Sequence, residues 1–163
     1  DSAYDLCTSS TKNGSADQRE LGRILIHSAL LYISTRNWDE ADTRLNKGLE
    51  LNGKFGDRRR AETANAHRAI MLHKKGEEEG KQQMLSAIKH HMEINDWRNL
   101  VNEVMSYIWM VDPGFKGDLE QVNKIRDLPP EIEECARHII NHLELHIFVE
   151  FWKNKYKPVL LDP

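Results

Sequence analysis

The stretch that decides the fold is residues 25–51, LIHSALLYISTRNWDEADTRLNKGLEL. Near its middle, Asn37 is followed three residues later by Glu40, the spacing of a helix N-cap in which each side chain bonds a backbone amide that the helix leaves free. Apolar residues lie at helical spacing on both sides of this cap. Two helices joined by so short a connection pack as an antiparallel hairpin. The stretch therefore predicts one helical hairpin.

The same kind of helix-boundary signal divides the rest of the chain. Asp17 with Glu20 repeats the cap spacing, and Asp57 is a further N-cap candidate after two glycines. We expect helices near residues 17–35, 37–52, 57–75, 77–95, 96–111, 118–128 and 131–156. Charged residues make up 30% of the chain and it has only five prolines, a balance typical of a folded helical protein and not of a disordered one. No strand alternation competes with this prediction.

An internal repeat supports a stack of such hairpins. Moving the sequence by 39 residues superposes Leu25 on Ala64, Tyr32 on Met71, Ala41 on Gly80, Leu45 on Met84, Gly48 on Ala87 and Leu49 on Ile88. In the last five of these pairs, small residues meet small ones and large residues meet large ones. The small residues Ala41 and Gly80 predict a close approach of the paired helices. The same shift brings Gly80 onto Leu119, so a third unit is degenerate in its second helix.

The residues of the first unit carry a family resemblance. Ser28-Ala29, Tyr32, Asn37-Trp38-Asp39-Glu40-Ala41, Leu45 and Gly48-Leu49-Glu50-Leu51 resemble a tetratricopeptide repeat. The second unit, residues 64–94, matches less closely, because Arg68 stands where a small residue is usual and Met71 where an aromatic is usual. The resemblance covers about half of the chain. The family unit has about 34 residues, and the longer shift here is similar to extended repeats of bacterial regulatory arrays.

The resemblance implies an all-α fold, a right-handed α-solenoid of antiparallel helix hairpins. We expect residues 1–163 to form one such domain, a fragment of a longer protein. Its predicted parts are the tail of a preceding repeat (1–16), two repeats (17–55 and 56–95), a degenerate repeat (96–128) and a C-terminal capping helix (131–156). For the first part, an ordinary short helix before Asn13-Gly14 is an alternative.

Tetratricopeptide-like repeats imply a non-catalytic scaffold that binds a protein or peptide on its concave face. The candidate positions are apolar residues that recur on three first helices: Ile26, Leu30, Ile33, Ala69, Leu72, Val104 and Ile108. An amphipathic partner helix would suit such a groove. The alternative is that these residues are ordinary core. The lysines, asparagines and arginine with which some relatives clamp a terminal carboxylate are absent from the matching positions, which disfavours chaperone tails.

The C-terminal segment has a second candidate surface. Phe148, Phe151 and Trp152 form an aromatic cluster in a strongly amphipathic helix, and such a cluster is expected to pack. It either caps the array or docks on a second copy or a following domain. Capping is the preferred interpretation, because end repeats must cover an otherwise exposed core.

A histidine series raises a metal hypothesis. His138, His142 and His146 follow one another at intervals of four residues, which on one helix would align them on a single stripe. Two such histidines can bind a divalent ion, but no third ligand is assured. We therefore expect no physiological metal site and no cofactor.

Other functional classes find little support. No glycine-rich phosphate loop, GxSxG or HExxH motif occurs, so we expect no enzyme activity. A net charge of only −3 gives no reason to expect nucleic acid or an anionic membrane. The alternative function is a ligand- or peptide-sensing regulatory domain of a larger signalling or transcription-regulating protein. The compartment stays open: a cytoplasmic one is favoured, and an extracytoplasmic one would follow if a signal or anchor has been removed.

Overall fold

The computed structural model describes residues 14–161, and within this range the chain is all-helical, without strands. The α-helices are α1 Gly14–Ser34, α2 Trp38–Gly53, α3 Arg58–Lys74, α4 Glu79–Glu93, α5 Trp97–Val111, α6 Pro130–Asn141 and α7 His146–Leu161. Two 3-10 helices, Leu119–Lys124 and Leu143–Leu145, lie between the later ones. Consecutive helices pack against their neighbours. The predicted all-α class is confirmed, whereas the tail of a preceding repeat falls almost wholly outside the described residues.

The chain divides into two compact units, Asp1–Arg68 and Ala69–Pro163, with the boundary inside α3. In the first unit α1 and α2 form the predicted hairpin, around a core of Ile26, Ala29, Leu45 and Ala64. The part of α3 that belongs to the first unit is tied to this hairpin by polar contacts. Arg68 donates to the side-chain oxygens of Asp42 at 3.2 Å and of Asn46 at 2.7 Å.

Two of the three predicted helix caps are confirmed. Asn37 accepts a hydrogen bond from the Glu40 amide at 3.4 Å, and Asp57 accepts one from the Arg60 amide at 3.2 Å. The third was wrong, because α1 begins at Gly14 and Asp17 lies inside its first turn. An acidic residue there still interacts favourably with the positive end of the helix dipole.

In the second unit α5 is the central helix. Every residue from Leu100 to Met110 is buried, because α5 is contacted by α4, α6 and α7. Trp152 of α7 donates from Nε1 to the hydroxyl of Ser106 at 2.9 Å. Ser106 in turn donates to the carbonyl of Asn102 at 2.7 Å. These bonds satisfy buried polar groups where α7 packs on α5.

The structure corrects two predicted helices. The helix expected over residues 131–156 is broken, because His142 has extended backbone angles (φ −121, ψ 95) and a 3-10 turn follows it. The His146 ring nitrogen Nε2 lies 3.1 Å from the Ile139 carbonyl, an acceptor that a continuing helix would have used. The helix expected over residues 118–128 is only the 3-10 helix Leu119–Lys124. The segment predicted as one capping helix thus forms two α-helices, Pro130–Asn141 and His146–Leu161.

The close helix approach predicted at Gly80 is present. A Cβ placed on Gly80 would lie 2.7 Å from the Ala69 carbonyl oxygen and 2.8 Å from the His73 amide nitrogen. Both contacts are with the backbone of α3, which cannot swing aside as a flexible side chain can. The glycine therefore sets the distance between α3 and α4.

Substituting Gly80 by alanine should lower the free energy of unfolding by about 1–2 kcal/mol. Forcing the helices apart costs about 1–3 kcal/mol, and the higher helix propensity of alanine returns up to about 1 kcal/mol. Urea denaturation measures the change. Gly53→Ala is the matched control, because no atom lies within 4 Å of its added Cβ and its φ is not positive. A Gly80→Ala variant as stable as the control would contradict the close-approach argument.

Candidate functional site

The predicted concave-face residues belong mostly to the core. In the first unit Ile26, Leu30 and Ile33 are buried, and in the second unit Ala69, Val104 and Ile108 are buried. Leu72 alone is half-buried. This placement is what the alternative interpretation, ordinary core, predicts. A partner at these residues would have to displace core packing.

The aromatic cluster of α7 is divided between core and surface. Trp152 is fully buried and holds α7 against α5 through its bond to Ser106. Phe148 and Phe151 are half-buried. The Phe151 ring has the Arg98 guanidinium 5.8 Å and the Lys155 ammonium 5.2 Å from its centre, within the range of cation–π attraction. Of the three predicted residues, only the two phenylalanines reach the surface.

Two large aliphatic side chains beside this cluster face solvent. Leu143 is 78% exposed and Ile147 is 68% exposed. In the sequence they continue the helical spacing of Ile132, Ala136 and Ile139, which are buried. The break at His142 explains why Leu143 and Ile147 are exposed, because the residues after it no longer continue the helical turn of α6. The surface role of Leu143 and Ile147 was therefore missed.

The histidines do not share one stripe. His138 stacks on Trp97 with ring centres 4.2 Å apart, and His142 stacks on His138 at 3.8 Å. His142 Nδ1 lies 2.8 Å from the His138 carbonyl, while His146 begins α7 and contacts the Ile139 carbonyl. Within residues 14–161 no group of three or more His, Cys, Asp or Glu side chains is placed to hold a metal. The expectation of no histidine metal site stays a prediction.

These groups connect into one candidate surface, which we call the α6–α7 surface. Its members are Trp97, Arg98, His138, His142, Leu143, Ile147 and Phe151. The ring stack meets the exposed aliphatic pair at His142-Leu143, and Phe151 follows Ile147 by one helical turn and contacts Arg98. Aromatic residues and arginine are the types enriched at the energetic centres of protein interfaces. Chemically, this surface suits apolar and stacking contacts.

A buried polar cluster involves α4 and α5. His91 Nδ1 is 2.7 Å from Glu103 Oε2, and His91 Nε2 is 4.0 Å from Asp96 Oδ2. His91 has no exposed surface. Burial raises the pKa of Tyr156 well above its usual range, and the nearby Glu103 carboxylate raises it further. Little in the sequence indicates this pair, because His91 and Glu103 lie on different helices and no short motif links them. The cluster ties α4, α5 and α7 together and lies too deep in the core to contact a ligand.

Comparisons with protein-family models, with curated proteins and with solved structures found no match to this chain. Among the described helices, none is long and apolar enough to cross a membrane.

Proposed function

We propose that the chain is a tetratricopeptide-like segment, a right-handed α-solenoid of antiparallel helix hairpins, that binds another protein and is not catalytic. The burial of the residues paired by the 39-residue shift supports this proposal. Ala41 and its counterpart Gly80 are both buried, and Leu45 and its counterpart Met84 are both fully buried. Residues at equivalent positions of the two predicted repeats are thus buried to the same extent.

The α6–α7 surface is where the partner binds. The observation that carries this placement is the exposure of Leu143 and Ile147, four residues apart in the chain, where Leu143 directly follows His142, the last ring of the stack with His138 and Trp97. A single exposed aliphatic residue is ordinary on a protein surface. Two beside half-buried rings form a patch that loses contact with water when a partner covers it.

The occupant is an amphipathic helix of another protein, because the surface is too small for a stable dimer. A standard interface buries about 800 Å² on each partner. Two exposed aliphatic side chains and a few half-buried rings offer only a few hundred Å² of apolar area. One helix that places apolar anchors four residues apart matches the spacing of Ile147 and Phe151, which lie one turn apart on α7.

Substituting Leu143 or Ile147 by aspartate should weaken partner binding by at least about 10-fold, because binding would have to desolvate an unpaired charge. The probe is a set of displayed amphipathic 20-residue helices, selected on the wild-type chain and then titrated as free peptides. Raising the salt concentration should matter little, since the contacts are apolar. Backbone NMR shifts should map the peptide to the region of Trp97, His138 and Leu143.

Leu31→Asp is the matched control, because Leu31 is also exposed, at 63%, but lies in the first unit. It should leave peptide affinity unchanged. Each variant must keep the helicity and melting temperature of the wild type. Selected peptides that bind both surface variants as tightly as the control would remove this surface from the function. A wild-type dimer in light scattering that Ile147→Asp separates would instead make a second copy the occupant.

A further inference from the structure

Two sulfur atoms meet where α4 packs near α6. Cys135 Sγ lies 3.7 Å from Met92 Sδ. Both residues line a cavity of about 210 Å³, and His138 lines it too, one helical turn after Cys135. Within the described part of the chain, the ring nitrogens of His138 make no hydrogen bond, while the ring face is fixed against Trp97. A thiol, a thioether and an imidazole therefore share one small cavity.

We propose that this cavity binds one soft monovalent metal ion, Cu(I), through Cys135 Sγ, Met92 Sδ and a ring nitrogen of His138. Thiolate and thioether sulfur are the protein ligands that select Cu(I), and imidazole is also a good copper ligand. This site shares His138 with the histidine series considered from the sequence, but its other two ligands are sulfur atoms. It is independent of the proposed partner binding.

The spacing of the two sulfur atoms fits a shared metal ion. Metal–sulfur bonds of roughly 2.3 Å in a trigonal arrangement place two sulfur ligands about 4 Å apart. The observed 3.7 Å separation differs from this by a few tenths of an ångström. Met92 is unbranched and half-buried, so its thioether can adjust by that amount without moving α4.

Binding of Cu(I) by the thiol leaves the net charge of the cavity unchanged. Cys135 is only 2% exposed, and burial disfavours a charged group that has no counter-ion. A bare thiolate is therefore costly in this cavity. When Cu(I) replaces the thiol proton, one H⁺ is released, a Cu–S bond forms and no atom changes oxidation state. The Cu(I)–thiolate unit is neutral, as the thiol was.

The test is an anaerobic titration of the reduced chain with Cu(I), in competition with the chromophoric chelator bicinchoninate. We expect one tightly held Cu(I) per chain. Cys135→Ser should weaken binding by more than the roughly 10–100-fold that loss of an outer-shell partner costs. Met92→Leu keeps the side-chain volume and removes only the thioether, and it should weaken binding by about 10-fold. X-ray absorption should show two sulfur ligands and one nitrogen ligand.

The second cysteine supplies the control. Cys7→Ser should leave the affinity and the stoichiometry unchanged, and calorimetric titration with zinc or nickel should show no tight site. Two results would overturn the proposal: loss of Cu(I) binding in Cys7→Ser, or full binding in a folded Met92→Leu chain. Either result would mean that a cysteine thiol binds Cu(I) without the proposed site. The Cu(I) titration is done without a partner peptide, and the peptide titration is done without a metal. The proposed metal site and the proposed binding surface can therefore fail separately.

Discussion

Replacing Glu103 by alanine should lower the free energy of unfolding by about 3 kcal/mol, because it leaves a buried polar partner without its hydrogen bond, at a cost of about 1–3 kcal/mol, and opens a cavity where the side chain packed. The Glu103 carboxylate lies 2.7 Å from His91 Nδ1, and neither side chain is more than 4% exposed. The substitution removes the 2.7 Å contact from the buried imidazole, and the Asp96 carboxylate lies farther away, at 4.0 Å. Urea denaturation followed by circular dichroism measures the loss.

The double variant His91→Leu with Glu103→Leu shows whether the loss comes from the stranded partner. Removing both polar groups should cost less than removing Glu103 alone, because apolar replacements leave no buried group without its bond. Glu150→Ala is the surface comparison. Its pairing with Lys153 at 2.7 Å is mostly exposed, so the change should stay within about 1 kcal/mol. A Glu103→Ala variant as stable as Glu150→Ala would contradict a structural role for the buried cluster.

The helices of the first unit could be predicted because their determinants are local. The caps at Asn37 and Asp57 involve residues three positions apart, and both form as the spacing predicts. The close approach at Gly80 followed from the repeat, since a small residue recurs where paired helices cross. Local spacing and residue size are both visible in a single sequence.

The candidate surface was harder to predict because it depends on a break that has no proline or glycine signal. His142 ends α6 although its neighbours continue the apolar pattern, and the competing contact, His146 with the Ile139 carbonyl, links residues seven positions apart. That break turns Leu143 and Ile147 outward. The buried pair of His91 and Glu103 depends in the same way on how α4 meets α5, so helical periodicity could not reveal it.

The concave-face hypothesis is tested by comparing one substitution at two sites of the second unit. Ile108→Asp should lower the free energy of unfolding by about 4 kcal/mol or more, because it removes a fully buried side chain and introduces an unpaired charge.

Ile147→Asp, at a position 68% exposed, should change the stability by no more than about 1 kcal/mol. Circular dichroism melting and urea denaturation of both variants separate the two cases, and the melting curves must be recorded before any binding measurement. If Ile108→Asp unfolds the second unit, a loss of peptide binding by this variant gives no information on the predicted concave face. The opposite result would be a folded Ile108→Asp chain that no longer binds the peptides, together with an Ile147→Asp chain that still binds them. Recognition would then lie on the concave face, because loss of folding could not explain the difference between the two variants.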